Sequence, residues 1–157
     1  MRFLSPGKYA QTMRYLWLNS RNRAGGVVYP FYASLKVSQT CNFKCRFCEV
    51  WRNPSPGLPT EDLKTVIDNL GRSSVFLLTI EGGEPLLRPD IFEILQHIRK
   101  QDVYLLLVTS ERGLRTDYPM RTYCKYIDFL HISIDEGHGN LEMFDELEEF
   151  VAFHQLL

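Results

Sequence analysis

Short apolar runs alternate along this 157-residue chain with longer segments of helical periodicity. Runs of this kind are typical of strands in a parallel sheet whose two faces are both covered. An amphipathic segment follows each run, so the pattern predicts an α/β fold of four βα units joined by right-handed crossovers. The predicted strands are residues 30–38, 75–80, 103–108 and 127–134.

Between the strands, apolar residues recur at the spacing of a buried helix face. Thr60 opens one helix and Pro89 a second, a further helix is predicted around residues 120–125, and Asn140 is expected to cap the last. The apolar positions of the first, second and last helices are Leu63, Val66, Ile67 and Leu70; Ile91, Ile94, Leu95 and Ile98; and Leu141, Phe144, Leu147, Val151 and Phe153.

The chain divides into an N-terminal helix with its linker, residues 1–26, and a core, residues 27–157. Residues 8–19 place Tyr9, Met13, Leu16 and Trp17 on one face of this helix. We expect the helix to dock on the body of its own fold, and Gly25-Gly26 to mark the linker. Binding to a membrane surface or to a partner is the alternative for a basic amphipathic helix.

Polar motifs follow each predicted strand. Cysteines come after the first, Gly-Gly-Glu after the second, Thr109-Ser110 after the third, and Ser133 and Asp135 lie at the end of the fourth. Parallel α/β folds bind ligands at the carboxyl edge of the sheet, so we expect one shared site there.

Three of the four cysteines, Cys41, Cys45 and Cys48, lie within eight residues. Thiolates crowded on a short loop favour a shared iron-sulfur cluster, in which three ligands leave one iron open. A redox pair, an electron carrier of ferredoxin type, and a zinc site closed by Cys124 or a histidine remain alternatives. Otherwise Cys124 is interpreted as a buried thiol of a helix. His97, His131, His138 and His154 are interpreted as structural or solvated.

The Gly82-Gly83 pair lets the backbone approach a ligand closely, and Glu84 can accept hydrogen bonds from a cation such as an ammonium group. By itself this turn is equally typical of a tight connection into a helix. Its position one βα unit after the cysteines favours the functional interpretation.

CxxxCxxC with Phe47 before the last cysteine, followed by Gly-Gly-Glu-Pro, resembles the radical S-adenosylmethionine (SAM) superfamily. The resemblance runs from Phe31 to about Phe153, and GGEPLLRPDIFEIL looks most like the branch with molybdenum-cofactor and peptide-maturation enzymes. It implies a [4Fe-4S] cluster whose fourth iron binds SAM, and reductive cleavage of SAM to a 5'-deoxyadenosyl radical that abstracts hydrogen from a substrate.

The resemblance also implies roles for individual residues. Phe47 would lie against the adenine and Glu84 near the methionine amino group, whereas Ser110 departs from the common Thr-Asn-Gly pattern. The implied iron ligands are Cys41, Cys45 and Cys48, and the implied SAM contacts are Phe47, Gly82, Gly83, Glu84, Ser110, Ser133 and Asp135.

The family normally has six βα units, so the resemblance implies a partial parallel (β/α) barrel, a truncated core of about four units. The chain is therefore expected to be a fragment, a truncated product, or a chain completed by a partner, in part because the apolar ending at residues 150–157 suits further packing. A noncatalytic iron-sulfur or zinc module, acting as a scaffold or electron carrier, is the alternative function.

The expected partners are an unknown substrate and an electron donor such as flavodoxin or ferredoxin. Net charge is −1, and no nucleic-acid partner is expected. Residues 1–10 lack the apolar stretch of a signal peptide, and residues 103–108 are too few to span a bilayer. Clustered free cysteines favour a cytoplasmic location.

Overall fold

A four-stranded parallel sheet organises the chain, whose computed structural model describes residues 5–21, 28–110 and 124–145. The strands lie side by side in the order in which they occur in the sequence. Their bounds are β1 (Tyr32–Ser38), β2 (Leu77–Gly82), β3 (Tyr104–Thr109) and β4 (Phe129–Ile132). The predicted α/β fold, a partial parallel barrel preceded by an N-terminal helix, is confirmed.

In the described part of the chain, the sheet is accompanied by the helices α1 (Pro6–Arg21), α2 (Thr60–Arg72) and α3 (Ile91–Ile98). The apolar sides of α2 and α3 pack on one face of the sheet and form the core. The buried members of that core are Val37, Leu63, Ile67, Leu78, Ile80, Ile91, Ile94, Leu95, Ile98, Val103, Leu105 and Leu107. All four predicted positions of α3 are therefore confirmed, and in α2 Leu63, Ile67 and Leu70 are confirmed, whereas Val66 is only partly buried and lies outside this core.

All four strands differ by one or two residues from their predicted bounds, and in β2 and β4 the difference follows from local hydrogen bonds that replace the regular pairing. Phe76 and Leu77 both donate from their amides to the Phe31 carbonyl, so β2 begins two residues later than the apolar run. Before β4, the Asp128 carboxylate accepts from the Leu105 amide at 2.9 Å, where a strand would offer a carbonyl. Regular pairing of β4 is therefore confined to Phe129–Ile132.

The helix α1 lies across the amino ends of the strands, at the edge opposite the cysteine loop. Lys8 forms an ion pair with Asp128, just before β4, and its ammonium lies 4.7 Å from the centre of the Tyr104 ring at the start of β3. The Gln11 amide donates to the carbonyls of Ser73 and Val75 at 2.7 and 3.1 Å. The helix docks on its own fold, as expected.

The docking face of α1 is nevertheless mainly polar, with one aromatic contact in which the Tyr15 ring packs on Phe31 and Phe76, with ring centres 5.7 and 5.3 Å apart. Lys8 and Gln11 are buried, whereas Tyr9, Met13, Leu16 and Trp17 are 45–63% exposed. Because the strand ends offer carbonyls and a carboxylate, cationic and amide side chains match this edge better than apolar ones do.

Parts of the C-terminal prediction change. Asn140 stands at the N-cap position without a side-chain cap bond, and the residues after it begin with a 3-10 turn, Leu141–Met143, that continues as α-helix at residues 144–145. Residues 124–126 form a turn. The rest of the helices predicted around 120–125 and after Asn140, the Gly25-Gly26 linker and the apolar ending at 150–157 lie outside the described residues.

Across residues 5–21, 28–110 and 124–145, no helix is both long and apolar enough to cross a membrane.

Candidate functional site

A cavity of about 240 Å³ lies at the carboxyl edge of the sheet. The polar motifs that follow β1, β2, β3 and β4 all contribute to it, as the parallel arrangement predicts. Its lining includes Cys41, Cys45, Cys48, Phe47, Gly82, Gly83, Glu84, Ser110 and Ser133, together with Phe43, Trp51, Glu81, Val108, Thr109 and His138. Of the expected site residues, Asp135 alone does not line the cavity.

The three cysteines of this cavity are free thiols on the loop after β1. Cys45 is buried, and its carbonyl accepts from the Cys48 amide at 3.2 Å and the Trp51 indole at 3.3 Å. Burial raises the pKa of the Cys45 thiol, and the neighbouring Cys41 and Cys48 raise it further. Metal coordination is the usual means of deprotonating such a thiol.

Arg88 joins the two ends of the cysteine loop. Its buried guanidinium donates to the Val37 carbonyl before the loop, at 2.6 Å, and to the Pro56 and Leu58 carbonyls after it, at 2.8 and 2.9 Å. The two remaining donors bind Asp90 in a bidentate pair at 2.7 and 2.9 Å. All five N–H groups of the guanidinium therefore have acceptors.

The glycines after β2 allow the two loops to touch. The Gly83 amide donates to the Ser38 carbonyl at 2.8 Å. A Cβ at Gly82 would lie 2.2 Å from that same oxygen, and one at Gly83 would lie 2.9 Å from the Cys41 Cβ. A side chain at either position would push the cysteine loop away, so the glycines set the depth of the cavity.

The Glu84 side chain cross-links the ends of β2 and β3. It is 1% exposed, and its carboxylate accepts from the Thr109 hydroxyl at 2.7 Å and the Ser110 amide at 2.9 Å. The Leu86 amide donates to it at 3.1 Å. These donors fix the orientation of the carboxylate that the sequence analysis assigned to the methionine end of SAM.

The fourth strand end is joined to the site through Asn140, which is fully buried. Its amide donates to the carbonyls of Ser110 and Ser133 at 3.1 and 2.9 Å, and its oxygen accepts from the Asp135 amide at 3.2 Å. The Asn140 side chain therefore holds the ends of β3 and β4 together instead of forming a cap bond.

Cys124 lies apart from the other thiols, because it precedes the amino end of β4. Tyr126, two residues later, packs against Phe92 at α3, with ring centres 5.8 Å apart. Burial raises the pKa of the Cys124 thiol to about 11, as expected for an inert structural cysteine. This position does not favour a zinc site that Cys124 would close.

The donor set is compatible with an iron-sulfur cluster. Within the described ranges, no group of three or more His, Cys, Asp and Glu side chains is arranged to hold one metal ion. A cubane binds each thiolate at a different iron, so its ligands are spread more widely than those of one ion. Three thiols around one cavity, beside a glycine turn that admits a ligand, are consistent with that arrangement.

Phe43, Trp51 and His138 line the cavity without having been among the predicted site residues, and Asn140 was expected only as a helix cap. Phe43 and Trp51 flank the cysteines, and their nearness in the sequence could have identified them. His138 and Asn140 are brought to the site by the turn after β4, so no local pattern marks them.

Comparisons with known proteins agree with this geometry. Residues 35–150 match the radical SAM superfamily model. The chain is 28% identical over 131 residues to the mycofactocin maturase MftC of Mycobacterium tuberculosis, covering 82% of this chain and 33% of that protein. It is 32% identical over 116 residues to the GTP 3',8-cyclase of Lactiplantibacillus plantarum, covering 66% and 33%.

Among solved structures, Streptococcus suis SuiB bound to S-adenosylmethionine matches with a TM-score of 0.56 at 17% identity, covering 83% of this chain and 31% of that one. That likeness concerns the fold. The chain spans about a third of the length of the relatives that it matches. With most of its length matched by the family model, this chain belongs to the radical SAM superfamily.

Proposed function

We propose that Cys41, Cys45 and Cys48 hold a [4Fe-4S] cluster and that the same cavity binds SAM, as in an enzyme that starts reactions by hydrogen abstraction. The observation that carries the proposal is the cavity itself, where three free thiols face a glycine turn and a buried carboxylate. When bound, the cluster would supply the electron for reductive cleavage of SAM.

The residues of the chain have separate tasks in this proposal. Gly82 and Gly83 admit the methionine end of SAM close to the backbone, and Glu84 accepts a hydrogen bond from its ammonium. Phe47, 68% exposed at the cavity, would cover the adenine. Ser110 and Ser133, which line the cavity, would face the nucleoside side.

The relatives of this chain suggest the class of its substrate. The relatives include a maturase and a GTP cyclase, and SuiB has been crystallised with its precursor peptide SuiA. We propose a peptide substrate for this chain, with flavodoxin or ferredoxin as the reductant and a partner chain or further segment completing the barrel. Four reduced cysteines support a cytoplasmic location.

The test is anaerobic reconstitution with iron and sulfide, followed by EPR of the reduced protein with and without SAM. We expect a [4Fe-4S] signal that changes when SAM is added. Cys45→Ala should abolish cluster binding, whereas Cys124→Ala, the matched control, should retain it.

Two outcomes would contradict the proposal. A cluster whose signal ignores SAM would exclude SAM binding at an open iron and favour the noncatalytic module. Uptake of zinc without any cluster would exclude the iron-sulfur assignment as well.

A further inference from the structure

The turn after β4, residues 135–140, forms one wall of the cysteine cavity. A Cβ at Gly137 would lie 2.3 Å from the Cε1 atom of Phe47, so this glycine lets the turn pack directly on the cysteine loop. The His138 ring meets the rings of Phe43 and Phe47 edge-on, with centres 5.5 and 5.4 Å apart. The two phenylalanine rings therefore hold His138 in the lining of the cavity that contains the thiols.

Asp135 fixes both the position and the tautomer of His138. One carboxylate oxygen accepts from the His138 amide at 3.0 Å, and the other lies 2.7 Å from Nδ1 of the ring. Although desolvation opposes it, hydrogen bonding to His138 lowers the pKa of Asp135, so the carboxylate is ionised at neutral pH. An ionised carboxylate only accepts, and Nδ1 therefore carries the proton.

The second ring nitrogen, Nε2, has no hydrogen-bond partner among residues 5–21, 28–110 and 124–145. In the neutral ring it is an acceptor. The His138 side chain is 14% exposed and lines the cavity. A ligand that offers a hydroxyl or amine donor would complete its hydrogen bonding.

We propose that His138 contacts the nucleoside part of SAM through Nε2, and that Asp135 is a positioning residue for His138 instead of a ligand contact. This inference rests on the proposed function, because SAM supplies the donor through its ribose hydroxyls or its adenine amine. Asp135 does not itself line the cavity, whereas His138 does. The sequence-based assignment of Asp135 to the ribose is revised accordingly.

His131 is the matched control. It lies within β4, a few residues before the turn that carries His138, but it is exposed and does not line the cavity. It differs from His138 in its surroundings and not in its chemistry.

The test measures the dissociation constant of SAM for the cluster-loaded full chain by equilibrium dialysis, with iron content and thermal melting recorded for each variant. His138→Phe keeps the ring packing and removes the acceptor, so we expect SAM to bind roughly three- to tenfold more weakly. His131→Phe should bind SAM as the wild type does. His138→Gln, which restores an acceptor, should recover part of the affinity.

A double-mutant cycle separates contact from positioning. Asp135→Ala should weaken SAM binding in the wild-type background and have no further effect in His138→Phe. Unchanged SAM affinity in His138→Phe would overturn the inference, and an equal loss from Asp135→Ala in both backgrounds would show that Asp135 meets the ligand itself. If cluster-loaded wild type fails to bind SAM, the proposed function fails first, and the inference with it.

Discussion

At the scale of single residues, Arg88 supports the site from outside the cavity. Its guanidinium meets three carbonyls and a carboxylate without contacting the cavity lining proposed to bind iron. The planar fork of arginine matches this set of acceptors, and a lysine ammonium cannot reach all of them.

Arg88→Lys should therefore lower the free energy of unfolding by about 2–4 kcal/mol, because buried carbonyls lose their donors. Urea denaturation at neutral pH would measure the change. Arg52→Lys is the control: Arg52 pairs with Glu49 on the surface, and its loss should cost less than about 0.5 kcal/mol. Equal effects of the two substitutions would argue against a structural role for Arg88 in joining the ends of the cysteine loop.

Asp90, the ion-pair partner of Arg88, should make the stability of the fold depend on pH. Burial alone would raise the pKa of Asp90, but hydrogen bonds from Arg88 and Thr60 hold that pKa below its ordinary value. A lowered folded-state pKa stabilises the fold above the unfolded value, and this stability is lost as pH falls through the folded value. The loss should thus begin below about pH 4.

Urea denaturation between pH 6 and pH 2.5 would follow this loss. Asp90→Asn should be less stable at pH 6 and should show a shallower decline in acid. Asp62→Asn, at an exposed position in α2, should decline as the wild type does. A steep acid decline that survives in Asp90→Asn would assign the effect to another carboxyl.

At the scale of elements, the carbonyls at the amino edge of the sheet determine which face of α1 docks there. Arg14 adds bonds of 3.1 and 3.3 Å to the Arg72 and Ser73 carbonyls, beside those of Gln11. The inward side is therefore held by side chains that satisfy the otherwise unpaired backbone at the turn before β2.

Gln11→Leu should cost about 1–3 kcal/mol of unfolding free energy, since it leaves buried carbonyls without a donor. Trp17→Gln, on the exposed side of the same helix, should change stability by less than about 0.5 kcal/mol. Chemical denaturation would compare the two variants. The reverse order would mean that the apolar side of α1 is the one that docks.

The sequence was most informative for features that depend on residues close together in the chain. The inner positions of α3 and most of those of α2 follow from their spacing, and the three cysteines and Gly-Gly-Glu turn follow from their motifs. Asn140 and the docking side of α1 could not be predicted, because their partners lie in distant strands. The limits of β2 and β4 depend on hydrogen bonds to Phe31 and Leu105 that no run of apolar residues reveals.

At the scale of the whole molecule, the sheet is covered unevenly. The helices α2 and α3 bury one face, whereas the other face carries exposed Tyr32, Lys36, Phe129 and His131. In the described sheet, β2 and β3 have neighbours on both sides, and β1 and β4 have one each.

Hydrogen exchange should reflect this arrangement. Amides of β2 and β3 should exchange slowest, and those of the four-residue β4 fastest among the strands, because local opening follows the density of contacts. Exchange read by mass spectrometry of peptides would rank the strands. Equal protection of β4 and β3 would indicate that another segment or chain covers β4.

The bonds that join the two ends of the cysteine loop would also affect assembly of the proposed cluster. Because Arg88 joins both ends of the loop, the three thiols are held near one another before any iron arrives, and part of the loop-closure entropy is already spent by the fold. In the proposed iron-sulfur site, the second and third iron–sulfur bonds would form at a high effective concentration, a chelate effect that the guanidinium would supply from outside the cavity.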